Sequence, residues 1–242
     1  MIIAIDGPAG SGKSTVAKMV AEQIGFAYLD TGAMYRAVCA RALEAGIDPG
    51  DEMALGAIAR DERISFGYTP GEALPTEVYI AGADVTRAIR TPRTDTHVST
   101  TSALPAVRSA LTEQQRRLGH ERDTVMEGRD IGTVVFPDAE LKVFLTAAPE
   151  ARAARRAAQN AARGLLPTTP DALKAAERTT LEDILRRDAE DTGRDTAPLA
   201  AAPDSVLIDT TDLRIDEVVD CIVGLAYSRG AQGEGARRRR TV

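Results

Sequence analysis

Nine consecutive residues near the start of the chain, Gly7-Pro8-Ala9-Gly10-Ser11-Gly12-Lys13-Ser14-Thr15, have the makings of an anion cradle. They fit G-x-x-x-x-G-K-[ST] in the context that pattern requires, after an apolar run (Ile2–Ile5) and before a helical pattern (Ser14–Ile24). Glycines let the backbone turn tightly enough for its N–H groups to converge on a phosphate, and the helix N-terminus adds partial positive charge. All nine are candidate nucleotide-binding residues. Lys13 can bridge β- and γ-phosphates, and the Ser14 hydroxyl is the candidate ligand for Mg²⁺. A dinucleotide fingerprint is excluded because it would need glycine where Thr15 stands. A GTPase is excluded too: the only asparagine, Asn160, precedes Ala161, and no aspartate has glycine three residues later. The ligand expected here is a nucleoside triphosphate.

A second set of residues could hold an acceptor. Asp30-Thr31-Gly32-Ala33-Met34-Tyr35-Arg36 follows the second apolar run, where open α/β sheets place ligands. Thr31 is positioned to cap the helix after it, with Tyr35 and Arg36 on the first turn. Glu127-Gly128-Arg129-Asp130-Ile131-Gly132 ends the third run and sets a cation and a carboxylate between glycines. Glu127 itself reads two ways, as a carboxylate holding a metal-bound water or as an ordinary strand-end acid. Arg187, Asp191 and Arg194 fall at i, i+4 and i+7, which would put them on one helix face. Arg152, Arg155 and Arg156 share a face of the preceding helix. Either cluster alone reads as solvated surface. Two arginine clusters joined by a Gly/Pro connection at 163–170, in a chain with a phosphate loop, read as a lid that supplies cations and excludes water.

These residues need a scaffold, and the pattern supplies one. Five short apolar runs (Ile2–Ile5, Phe26–Leu29, Thr124–Met126, Leu141–Leu145, Val206–Ile208) alternate with helical patterns at Ser14–Ile24, Thr31–Ala45, Ser99–Leu118, Pro149–Arg163, Asp171–Glu190 and Ile215–Tyr227. That alternation predicts an α/β fold with a parallel five-stranded sheet wrapped by helices. Between Ile64 and Val85 the period changes to two, which predicts a small antiparallel hairpin inserted into the framework.

Composition bounds the rest. With 242 residues, 43% hydrophobic and 27% charged, the chain is globular, and no apolar run is long enough to span a bilayer. The net charge of −6 argues against a whole-surface nucleic-acid binder. Cys39 and Cys221 lie far apart in helical contexts and read as buried thiols of a reducing, cytoplasmic compartment. With His97 and His120 the only histidines, ligands at zinc-site spacing are missing.

Taken together, Ile5-Asp6-Gly7-Pro8-Ala9-Gly10-Ser11-Gly12-Lys13-Ser14, Leu29-Asp30-Thr31-Gly32-Ala33-Met34-Tyr35-Arg36, the segment Glu127 to Asp138, and Arg187-Asp188 through Asp191 to Arg194 closely resemble the bacterial cytidylate kinases, of the nucleoside monophosphate kinase group. The resemblance runs from residue 2 to about 227. It implies one kinase domain over 1–228, with a monophosphate-binding region and β insert at about 31–97 and a helical lid at about 149–194, then a disordered basic tail at 229–242. It implies transfer of a phosphoryl group from ATP, with Mg²⁺, to CMP and dCMP, by a chain that works as a monomer without nucleic acid or membrane partners. Carried over by motif, Arg36 and Arg129 would hold the acceptor phosphate and Arg194 would help clamp phosphates. Ser99, Arg108 and Asp130 would meet the cytosine, Arg187 and Asp191 the ribose, and Arg155 and Arg156 the donor phosphates. Thr31 and Tyr35 complete the acceptor set, and Lys13 joins these arginines in turnover. Chemistry supports the base assignment that the resemblance implies: a carboxylate can accept from cytosine N4 and an arginine can donate to N3 and O2, whereas uracil presents mismatched groups. Another small-metabolite acceptor, or a regulatory ATP-binding module without transfer, would be told apart by base selectivity and by whether any diphosphate forms. The Arg237–Arg240 run has no role in this scheme; a solvated tail and a polyanion-binding tail are both open.

Overall fold

The computed structural model describes residues 1–162, 164, 169–194 and 197–232. Arg163 and residues 165–168 of the expected lid connection lie outside them, as does the tail from 233 onward with Arg237–Arg240. The elements run β1 (Ile2–Asp6), α1 (Lys13–Ile24), β2 (Ala27–Asp30), α2 (Thr31–Glu44), α3 (Glu52–Asp61), β3 (Ile64–Tyr68), β4 (Pro75–Ile80) and β5 (Ala83–Asp84). Then follow α4 (Pro92–Ala103), α5 (Pro105–His120), β6 (Thr124–Gly128), β7 (Leu141–Thr146), α6 (Pro149–Ala162), α7 (Pro170–Thr192), β8 (Val206–Asp209) and α8 (Ile215–Ser228).

Five strands form one parallel sheet in the order β2-β6-β1-β7-β8. Their side chains alternate between two apolar layers, as the pleat requires. Ile3, Ile5, Val125, Val143 and Leu145 face α1 and α8, while Ile2, Ala4, Leu29 and Met126 face α2, α3 and α5. Both faces are therefore covered, which is why the strands read as continuous apolar runs. The register sets Asp6 beside Gly128 and Asp30 beside Glu127, so the acidic and glycine-rich strand ends converge on one edge.

Three expectations are corrected. The Ser99–Leu118 helix is two helices, because Pro105 forces Leu104 into an extended conformation (φ −70°, ψ 119°) between α4 and α5. The insert is a three-stranded sheet, β3-β4-β5, where a hairpin was expected. Cys39 is buried as expected, but Cys221 is exposed on the outer face of α8. Helix α3, capped by Asp51 accepting from the Ala54 N–H, has no counterpart in the sequence pattern read above.

Candidate active site

The phosphate loop fills the gap between β1 and α1, and its backbone explains its glycines. Gly7 (φ +145°), Gly10 (φ +79°) and Gly12 (φ +91°) all occupy conformations that L side chains avoid. At Gly7 space matters as well, since a Cβ would sit 2.0 Å from the Leu145 carbonyl oxygen of β7. Inside the loop, the Ser11 hydroxyl and the Lys13 ammonium both donate to the Pro8 carbonyl, at 3.1 Å and 2.6 Å. Burial, with Arg129 nearby, pushes the Lys13 ammonium below its ordinary value. Such a group gains most from an anion placed beside it.

Glu127 ends β6 against this loop. Its Oε2 accepts from the Ser14 hydroxyl at 2.8 Å, and its Oε1 accepts from the Tyr28 hydroxyl of β2. Burial and the neighbouring Asp30 push the Glu127 carboxyl upward. A hydroxyl and a carboxylate side by side make an all-oxygen donor pair of the type that holds Mg²⁺ when substrate phosphates supply further ligands. Among the described residues, three or more acidic, histidine or cysteine side chains nowhere gather into a metal cage. The residues thus fit a phosphate-borne cation better than an all-protein site.

Thr31 does not cap its helix. Asp30 does so, accepting from the Ala33 N–H at 3.1 Å, and the Thr31 hydroxyl instead donates to the Glu127 carbonyl at 2.7 Å. A buried hydroxyl beside a strand end already has a carbonyl to satisfy, and the freer carboxylate takes the cap. Tyr35 is buried beneath Arg108, whose guanidinium lies 5.6 Å from its ring centroid. Arg36 bonds Asp95 and the Ile89 carbonyl.

The segment after β6 reaches across to the phosphate loop. Arg129 donates to the Gly7 carbonyl at 2.7 Å and pairs with Asp191 at 2.9 Å. Asp191 pairs in turn with Arg194. The expected single helix face is thereby corrected, because α7 ends at Thr192 and Arg194 lies beyond it, turned back toward Asp191. Asp130 and Arg108 form a buried pair at 2.6 Å, and Arg108 also donates to the Ser102 carbonyl at 3.0 Å. The Nε atoms of Arg108 and Arg187 are buried without a hydrogen-bond partner, so each is a donor with capacity left for a ligand.

Two cavities flank this chain of contacts. One, of about 740 Å³, is lined by Gly10–Thr15, Arg155 and Arg156 together with apolar Met19, Leu213, Ile215 and Val218. Arg155 is held there by Thr210 and by the Thr211 carbonyl. The other, of about 650 Å³, is lined by Ser99, Asp95, Arg187 and Arg194. Arg155 and Arg156 of α6 line the first cavity, whereas Arg152 is buried and grips Asp188 of α7 through two bonds (3.1 Å and 2.5 Å) and the Ala9 carbonyl at 3.0 Å. Tyr28, Asp95 and Thr210 escaped the sequence reading of the site, and Arg152, read there as one of the lid cations, is instead a buried link between Asp188 and the phosphate loop. Their partners lie far away in the chain, and local spacing carries no trace of them.

Sheet, loop and paired cavities are those of a phosphate-loop kinase. A model of the cytidylate kinase family matches residues 3–228. The cytidylate kinase of Streptomyces avermitilis is 46% identical over 234 residues, covering 96% of this chain and 94% of that protein. The one from Geobacillus kaustophilus is 47% identical over 227 residues, covering 94% of this chain and 96% of its own. Among solved structures, an uncharacterized protein from Eubacterium ventriosum superposes with a TM-score of 0.51 at 13% identity, over 94% of this chain and 99% of that one, and shares the fold. This chain belongs to the cytidylate kinase family, and it is a kinase, a phosphotransferase. Among the described residues no helix is long and apolar enough to cross a membrane.

Proposed function

We propose that this enzyme transfers the γ-phosphoryl group of ATP to CMP and dCMP, giving the diphosphates. The observation that carries the reading is the contact chain Gly7–Arg129–Asp191–Arg194, which ties the phosphate loop to the second cavity, where Arg194 is part of the lining. ATP would occupy the first cavity, its phosphates on residues 7–15 with Arg155 and Arg156 alongside. CMP would enter by the second cavity, which Ser99, Arg187 and Arg194 line and which Arg36, Arg108, Arg129, Asp130 and Asp191 do not; its phosphate would meet Arg36, Arg129 and Arg194, its ribose Arg187 and Asp191, and its base Ser99, Arg108 and Asp130. Thr31 and Tyr35 act beneath this set, the first holding the β6 end and the second supporting Arg108.

Phosphoryl transfer of this kind needs positioning and charge compensation, with no covalent enzyme intermediate. Lys13 and the arginines supply fixed positive charge where the equatorial oxygens gain negative charge. Asp191 holds Arg129 and Arg194 in orientation and passes part of that bonding to the ribose when substrate arrives. Ser14, with Glu127 accepting from its hydroxyl, would hold Mg²⁺, and the cation would supply charge compensation for the donor phosphates. Residues 1–228 serve as one kinase domain in this scheme, with 31–97 as the acceptor region and 149–194 as the lid. One copy is the working unit in this scheme, and a cytoplasmic location suits substrates drawn from the free nucleotide pool.

The test is ADP formation with CMP, dCMP, UMP and AMP offered separately. Fast turnover with CMP and little with UMP or AMP is expected. Turnover with another nucleotide in place of CMP overturns the cytosine assignment, and none with any overturns the transfer reaction.

A further inference from the structure

Asp6 is the last residue of β1, stands immediately before the phosphate loop, and touches neither cavity. It is almost wholly buried, with 5% of its surface exposed. Both of its carboxylate oxygens are spent on backbone: Oδ1 accepts from the Ile131 N–H at 2.9 Å and Oδ2 from the Gly132 N–H at 2.7 Å. Those two amides open the π-type turn at Ile131–Val135, whose first carbonyl-side residue is Asp130. Asp130 sits there at φ −145°, ψ 24°, outside helix and strand geometry, so its own backbone preference does not hold it in place. One residue earlier, Arg129 reaches the carbonyl of Gly7, the residue after Asp6. The segment from Arg129 to Gly132 is therefore fastened to the Asp6-Gly7 dipeptide by a side chain in each direction, with Asp130 between the two attachments.

We infer that Asp6 is a positioning residue: by binding the Ile131 and Gly132 amides it fixes Arg129 and Asp130 in register with the phosphate loop, and so sets both the acceptor phosphate position and the base discrimination. The inference rests on the proposed roles of those two residues toward CMP. A carboxylate is the side chain this task needs, since it offers two acceptors and no donor to two converging N–H groups. Asparagine has nearly the same shape but would turn an NH₂ toward one of them.

Asp6→Asn should therefore lower the ratio of kcat/KM for CMP over UMP by about tenfold or more, because displacements near 1 Å at a reacting site cost up to about a hundredfold. KM for CMP should rise, while KM for ATP stays within about twofold. A merely structural role would reduce the folded fraction, which scales every rate equally and leaves the ratio unmoved. In an Asp130→Ala background, Asp6→Asn should change the ratio no further. Asp6→Ser, which keeps a single hydroxyl acceptor, gives the same readout if the asparagine variant fails to fold. An unchanged CMP-to-UMP ratio and unchanged KM for CMP in a folded Asp6 variant overturn the inference while leaving the cytosine reading intact. Failure of the cytosine reading would show differently, as equal use of CMP and UMP by the unmutated enzyme.

Discussion

The guanidinium of Arg108 and the carboxylate of Asp130 meet at 2.6 Å with 6% and 8% of their side chains exposed. A pair so shielded from water is expensive to assemble and more expensive to break, because either partner left alone is an uncompensated charge. Within this pair Arg108 still has bonding capacity, through a buried Nε without a hydrogen-bond partner.

Asp130→Ala should consequently do two things at once. Denaturant unfolding should show a loss of about 3–5 kcal/mol, the usual range for orphaning a buried charge. Steady-state rates should show a larger loss with CMP than with UMP. Equal losses on the two nucleotides would remove Asp130 from base reading.

Lys13→Ala should cut turnover by at least about 10³-fold while leaving the melting temperature nearly unchanged. Among the described residues, the hydrogen bond it loses in the free protein is that to the Pro8 carbonyl. Near-normal turnover in this variant would contradict the assignment of the phosphate loop.

Arg152 and Asp188 join α6 to α7 and both to the loop through the Ala9 carbonyl. Asp188→Asn should weaken that junction and raise hydrogen exchange in α6 and α7 more than in the central strands. Uniform exchange across the whole domain would instead mark a global loss of stability.

The loop glycines should differ in cost. Gly7→Ala combines a forbidden φ with a collision against the Leu145 carbonyl, whereas at Gly12 a Cβ would meet nothing within 4 Å. Backbone strain alone is worth about 1–3 kcal/mol. Gly12→Ala should stay in that range by thermal unfolding and Gly7→Ala should exceed it.

Burial pushes the Asp6 carboxyl up to about 6, against 3.8 as its ordinary value. Between those two pH values the native protein holds a proton that the unfolded chain has released. This group's share of stability must then fall as pH rises through the window, by about 3 kcal/mol in all, and level off above it. Urea unfolding from pH 4 to 7 should show the unmutated protein losing stability relative to Asp6→Asn as pH rises. A constant gap between the two would place the Asp6 titration elsewhere.

Much of this architecture was legible because its signals are local. The five apolar runs became the five parallel strands within a residue or two, and glycine marked where α1 ends, at Gly25. Pro105 was equally visible but was read through, although its clash with the preceding residue dictates the break between α4 and α5. The site divides along the same line. Lys13 and Ser14 announce themselves by spacing, while Ser14 and Glu127 are 113 positions apart and meet only because β1 and β6 are neighbours. Asp6 and Tyr28 resemble any polar residues at strand ends until the turn and the carboxylate they bind come into view.

The small β insert is wired to the chemistry by a route that involves no substrate. The Tyr68 hydroxyl of β3 donates to the Tyr28 carbonyl at 2.8 Å, and the Tyr28 hydroxyl steadies Glu127, which accepts from Ser14. The insert thus acts as an outrigger, bracing the strand that braces the acid. A loosened outrigger would be felt as a less steady grip on the donor's phosphates, although no atom at the reaction centre had changed.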